Sequence, residues 1–211
     1  MTTQQILTRL IERYPSLRRC EEDILRAGLS IIDALGQKRK LLVCGNGGSS
    51  ADAAHIVSEM MKSFSKKRTL NSQLADKLKS ISPERGALLA SKLEGGLPAI
   101  SLNAHDALMT AISNDMGGDF IFAQQVMGYG ERGDILLAIS TSGNSQNVID
   151  ACITAKAKGM KIIALLGETG GKIKALTDIA ICVPSSYTPD IQELHLPVYH
   201  CLCTMAEEAF F

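Results

Sequence analysis

His55 and Glu59 stand four residues apart in a run that reads as an amphipathic helix. That spacing puts an imidazole and a carboxylate on one helix face, one turn apart. The pair suits two metal ligands, or a carboxylate base beside an imidazole. It equally suits a solvated surface pair. A second set lies in Asp190-Ile191-Gln192-Glu193-Leu194-His195, followed by His200. Gln192 and His200 fall on broadly the same side of an ideal helix, ~12 Å apart along its axis. One metal is reached by both only if the helix bends or Gln192 lies at a frayed start. Pro197 removes one internal hydrogen bond and favours such a bend. His195 reads as a further polar candidate or as a buried packing histidine. Asn114-Asp115 ends the run Leu108 to Ser113, and reads either as helix-end capping or as a partner for sugar hydroxyls. No Ser-His-Asp order or nucleophile elbow is present.

Two small-residue turns would position this chemistry. They are Gly45-Asn46-Gly47-Gly48-Ser49-Ser50 and Ser140-Thr141-Ser142-Gly143-Asn144-Ser145. Each follows an apolar run that reads as a buried strand, and each precedes a helical run. A strand that turns through small residues into a helix leaves backbone N–H groups pointing outward, where the helix dipole adds partial positive charge. Neither turn is G-x-G-x-x-G or a P-loop. Hydroxyl donors without charge suit a small phosphorylated metabolite held without Mg²⁺.

Composition narrows the class. The chain has 211 residues, 45 % hydrophobic, enough for one sizeable domain. Its 22 basic and 22 acidic residues cancel, so no charge excess draws it to nucleic acid or an anionic membrane. Aromatic residues make up 4 % and Trp is absent, which argues against base-stacking platforms. The first residues show no signal-peptide pattern, and no apolar stretch reaches the ~18 residues of a spanning helix. The six cysteines form no C-x-x-C and mostly lie in apolar runs, as small core residues of a reduced cytoplasmic protein.

Residues 4–36 are helical in pattern. After them the alternation is regular. Strands are predicted at 40–45, 98–102, 134–140, 161–166 and 179–184, and helices at about 49–63, 105–113, 119–129, 145–158 and 190–210. Strands alternating with helices predict an α/β fold: a doubly wound, five-stranded parallel sheet covered on both faces. Sites in such sheets lie at the carboxyl ends of strands, where both turns fall. Residues 65–96 break the rhythm. They are highly charged, with Leu70, Leu74, Leu78 and Ile81 at helical spacing, and read as an inserted helical hairpin. A solvated excursion, a lid and a subunit contact all suit that pattern.

Together these pieces resemble the sugar isomerase (SIS) domain family, in its phosphoheptose isomerase branch. The resemblance rests on Cys44 to Ser49, His55, Glu59, Ser113-Asn114-Asp115, Ala138 to Ser145, Ile191 to His195 and His200. It covers nearly the whole chain outside 65–96. It implies conversion of sedoheptulose 7-phosphate to D-glycero-D-manno-heptose 7-phosphate through a cis-enediol. That is the first step of nucleotide-activated heptose synthesis for lipopolysaccharide or capsule. By position it makes Ser140, Thr141, Ser142 and Ser145 the phosphate holders. Asn46, Gly47, Gly48, Ser49, Glu59, Asn114, Asp115 and Gln192 become substrate contacts. It implies Zn²⁺ held by His55, Glu59, Gln192 and His200, with Glu59 and His200 catalytic. It also implies a homotetramer with active sites at subunit contacts. The chain departs from the family in having Lys62-Ser63 where an arginine usually follows the helix glutamate, and in the long 65–96 segment.

Three other readings share the fold. A DiaA-like scaffold for the replication initiator DnaA is expected to lack the histidine at 200. An isomerase of another sugar phosphate, such as arabinose 5-phosphate, usually carries extra C-terminal domains. A sugar-phosphate sensor would be joined to a DNA-binding helix pair, which is not evident here.

Overall fold

The computed structural model describes residues 1–211. Its sheet has five parallel strands: β1 (Leu41–Gly45), β2 (Ala99–Ser101), β3 (Ile135–Ser140), β4 (Lys161–Leu166) and β5 (Ile179–Cys182). Their spatial order is β2-β1-β3-β4-β5. Leu41 faces Ala99 across one edge of β1 and Ile135 across the other. The predicted doubly wound α/β sheet is the fold observed. Side chains alternate along each strand between two cores. Leu41, Val43, Ile135, Leu137, Ile163 and Leu165 enter the larger one, and Leu42, Cys44, Leu136, Ala138, Ile162 and Ala164 enter the smaller.

The larger core lies under α1 (Thr3–Arg13), α2 (Glu21–Gly36), α3 (Gly48–Met61) and α9 (Thr188–Phe210). The smaller lies under α7 (Ile121–Tyr129) and α8 (Gln146–Ala157), with α6 (Asp106–Asp115) beside them. The leading helical run breaks at Pro15, which opens a short 3₁₀ turn to Cys20 between α1 and α2. α9 starts two residues earlier than the periodicity places it, because Pro189 suits the first helical turn. It then continues unbroken through Pro197. The chain reverses its direction of winding between β1 and β3. In such sheets ligands bind in the crevice outside that switch point, and both small-residue turns sit there.

Residues 72–92 form two short helices, α4 (Ser72–Ile81) and α5 (Pro83–Lys92), packed on each other. α4 buries no residue and α5 buries only Gly86. Leu74, Ile81, Leu88 and Leu93 remain exposed. The arm closes at its root, where Thr69 bridges Glu94 and Gly95 N–H donates to Arg68 O at 2.8 Å.

Candidate active site

The turn after β3 is a cradle built from its own hydroxyls. Gly143 N–H donates to Ser140 Oγ at 3.1 Å, and Ser140 and Ser145 hydroxyls meet at 3.3 Å. Asn144 N–H donates to Ser142 Oγ at 3.1 Å. Ser142 is exposed, with Thr141 and Ser145 half-buried at the rim. Ser145 caps α8 without a side-chain hydrogen bond, so the first-turn amides stay open to an anion. Gly143 has φ +64, and a Cβ there would strike the Gly170 carbonyl. A Gly143→Ala chain is expected to lose at least about 1–2 kcal/mol from the left-handed backbone alone. Thermal melts should place its Tm several degrees below wild type.

The turn after β1 faces the first one. Asn46 and Asn147 exchange amide hydrogen bonds of 2.8 and 2.9 Å, tying the two turns together. Asn103 locks the end of β1, donating to Gly45 O at 2.8 Å and accepting from its N–H at 3.3 Å. Asn46, Gly47 and Gly48 are exposed, whereas Ser49 is 3 % exposed and packed beneath Gly45. Ser49 therefore stands behind the rim rather than on it. Gln192 lies against Gly48, where a Cβ would collide with its side-chain amide.

His55, Glu59 and His200 meet further down, because α3 and α9 pack side by side. His55 Nε2 lies 3.2 Å from Glu59 Oε1. The His55 and His200 rings meet edge to face at 5.0 Å between centroids. Tyr199 OH donates to Asp52 Oδ1 at 3.2 Å and contacts His55 Nδ1 at 3.0 Å. Tyr199 OH thus links Asp52 to His55 Nδ1, while the other ring nitrogen, Nε2, faces the Glu59 carboxylate. Burial raises both Asp52 and Tyr199 above their ordinary values. His200 Nε2 is buried with no hydrogen-bond partner. Burial, reinforced by His55, lowers the His200 pKa, which favours a neutral ring. Lys62 sets an ammonium 3.6 Å from Glu59 Oε2. An open cavity of about 520 Å³ lies beside His200, between α1, α9 and Phe64-Ser65.

Other predicted residues are not gathered here. Gln192 stays at Gly48, roughly 12 Å up α9 from His200. Asn114 and Asp115 sit exposed at the end of α6, where Asn114 donates to Asp115 Oδ1 at 2.8 Å. His195 has no exposure and contacts Leu166 O at 3.3 Å; burial lowers its pKa to about 4. It is a neutral pin between α9 and β4. Burial pushes the Cys201 and Cys203 thiols up to about 12, so both stay protonated in the core. No three His, Cys, Asp or Glu side chains are grouped to hold a metal within this chain.

Sequence reasoning missed a buried ion pair beside the cluster. Arg68 Nε lies 2.8 Å from Glu207 Oε1, and neither side chain has any exposure. The partners are 139 residues apart in the chain. The only hints were an acid in the apolar tail of α9 and an arginine at the root of the inserted arm.

The paired turns at a switch point, with a His-Glu-His cluster on the helices behind them, define a sugar-phosphate class of α/β protein. The SIS domain family pattern matches residues 5–95 and 81–167, and the chain belongs to that family. Within it the similarity runs to phosphoheptose isomerases. The chain is 40 % identical over 211 residues to the phosphoheptose isomerase of Nitratiruptor sp., covering 98 % of this chain and 99 % of that one. It is 38 % identical over 195 residues to the one from Helicobacter pylori, covering 92 % and 88 %. The solved phosphoheptose isomerase GmhA from Neisseria gonorrhoeae superposes with a TM-score of 0.73 at 32 % identity, over 97 % of this chain and 98 % of that one.

Proposed function

We propose that the chain is an aldose–ketose isomerase that converts sedoheptulose 7-phosphate to D-glycero-D-manno-heptose 7-phosphate. One observation carries this reading. A half-buried imidazole whose Nε2 is buried without a partner, His200, meets the Glu59 carboxylate across His55, on helices that lead back to an uncharged phosphate cradle.

Glu59 takes a proton from C1 of the ketose, leaving a cis-enediol between C1 and C2. His200 carries a proton from the C1 oxygen to the C2 oxygen. Glu59 returns its proton to C2, and C1 becomes the aldehyde. Such chemistry needs one base and one group able both to give and to accept a proton. A neutral His200 does both.

Zinc suits the donor chemistry. His200 Nε2 lacks any partner, and His55 Nε2 presents its lone pair when Tyr199 holds Nδ1. An outer hydrogen bond of that kind orients ligating histidines. No three such side chains are grouped for an ion as the chain stands. His55, Glu59 and His200 would hold it only after regrouping, and Glu59 and His200 would have to leave it to move protons. Gln192, at Gly48, lies outside their reach. Bound there, zinc would polarise the sugar carbonyl. The His55–Glu59 contact of 3.2 Å must open to free those atoms.

The working form is proposed to be a homotetramer with active sites at subunit contacts. Gly48 and Glu59 are about 16 Å apart along α3, a long span for one chain's cradle to serve its own base. Leu29, Met116, Phe120, Met127, Ile153 and Leu196 expose large apolar surface that subunits could cover. No helix is long and apolar enough to cross a membrane. All six cysteines are free thiols, which suits the reducing cytoplasm.

The test is direct. Purified, zinc-loaded protein incubated with sedoheptulose 7-phosphate should yield an aldoheptose 7-phosphate by NMR, and His200→Ala should lose most of that turnover. A folded protein that yields no aldose would overturn the heptose assignment.

A further inference from the structure

Arg68 is fully buried, and all its guanidinium bonds land on the helices that carry the catalytic pair. Nη2 donates to Glu59 O at 2.7 Å and Nη1 to Met60 O at 2.6 Å. These are among the last carbonyls of α3, which a helix end leaves without intrahelical partners. A cation there also complements the helix dipole. Nε donates to Glu207 Oε1 at 2.8 Å on α9, two turns beyond His200. Glu207 is itself fixed. It accepts from Phe64 N–H at 2.8 Å, Ser65 N–H at 2.8 Å, Ser65 Oγ at 2.6 Å and Lys66 N–H at 3.0 Å. Arg68 is also the root of the α4–α5 arm, through Gly95 N–H and through Ser63 Oγ at 2.9 Å from its own N–H.

We propose that Arg68 is a positioning residue for the isomerisation: its guanidinium fixes the main chain of Glu59 against the α9 segment that carries His200. This rests on the isomerase reading above. A brace on the carbonyl of the base itself sets where the carboxylate starts, and proton transfer is sensitive to that distance. Misplacement by about 1 Å can cost roughly 10²-fold in rate. Arg68 bonds to none of the cradle residues, so affinity should change little. Lysine cannot replace the fork, because one ammonium does not span two carbonyls and a carboxylate.

The experiment separates positioning from stability. Removing both charges of a buried pair avoids the uncompensated charge that a single deletion leaves. The Arg68→Met/Glu207→Gln double variant does so and keeps an acceptor for the Phe64, Ser65 and Lys66 donors, so it should recover Tm relative to Arg68→Met alone. Its kcat should stay about 10- to 100-fold down, with KM within about twofold. Arg68→Lys, which keeps the charge, should fold and lie between wild type and the double variant in kcat; it carries the same test if the double variant does not fold. An activity-free readout comes from ¹⁵N-histidine labelling, since the chain has only four histidines. Signals of His55 and His200 should move while those of His105 and His195 stay. Recovery of both Tm and kcat in the double variant, or unmoved His55 and His200 signals, would overturn the brace. Absence of turnover in wild type would instead sink the isomerase reading, and the histidine signals would still decide on the brace.

Discussion

Glu59→Gln is expected to lower kcat by about 10²- to 10⁴-fold, the usual contribution of a positioned acid–base group. Glutamine keeps the length and the hydrogen-bonding capacity of the side chain. It can still bond to His55, whose Nε2 lies 3.2 Å away. It cannot take up a carbon-bound proton. The fold should persist, because the carboxylate's polar contacts are only with His55, Lys62 and Ser58, all of which an amide can still meet. KM should stay near wild type, because the phosphate is held by hydroxyls on another turn. Initial rates with the ketose phosphate and a thermal melt check both halves. A glutamine variant within tenfold of wild-type kcat would show that another group removes the proton.

Breaking the Arg68–Glu207 pair should give the largest loss of stability. Removing one member leaves an uncompensated buried charge, which costs about 3–5 kcal/mol. For a chain of this size that lowers Tm by roughly 10 °C. Arg68→Ala and Glu207→Ala should each show it. Burial pushes the Glu207 pKa up, but bonds from Ser65, Phe64 N–H and Arg68 outweigh it and hold the pKa at about 2. Its unfolded value is 4.5. A depressed carboxylate contributes stability that is complete above its unfolded pKa and disappears as pH falls through its folded one. On the order of 3 kcal/mol should therefore vanish between pH 4.5 and about 2. His195 acts in the same direction at higher pH. Its pKa drops from 6.5 to about 4 by burial, so the neutral fold loses stability as pH falls across that window. Denaturant melts at stepped pH should show a first decline from His195. The second, from Glu207, should be absent in the Arg68→Met/Glu207→Gln variant. A second decline that survives there would mean that another carboxylate carries the acid sensitivity.

The sheet was legible because a buried parallel strand announces itself as a continuous apolar run, and each of β1, β3 and β4 does. The cradle turns were legible because small residues between strand and helix have few other uses. His55 and Glu59 were legible as a pair through helical spacing alone. Their meeting with His200 was not, because spacing says nothing about α3 lying beside α9. The place of Gln192 was not legible either. It shares a side of α9 with His200, yet the helix runs straight through Pro197 and leaves it at Gly48. The burial of Ser49 was not legible, because a turn residue in a glycine-rich loop can still point into the core. Arg68 looked like one charge in a solvated arm. Its burial depends on an acid at the far end of the chain, and only the folded arrangement pairs them.

The most direct test of the account is isomerisation of sedoheptulose 7-phosphate in D₂O, followed by NMR. Proton removal by Glu59 and an enediol intermediate predict an aldose that carries solvent deuterium at C2. No conversion, or an aldose that keeps its original hydrogen there throughout, would contradict the assigned chemistry.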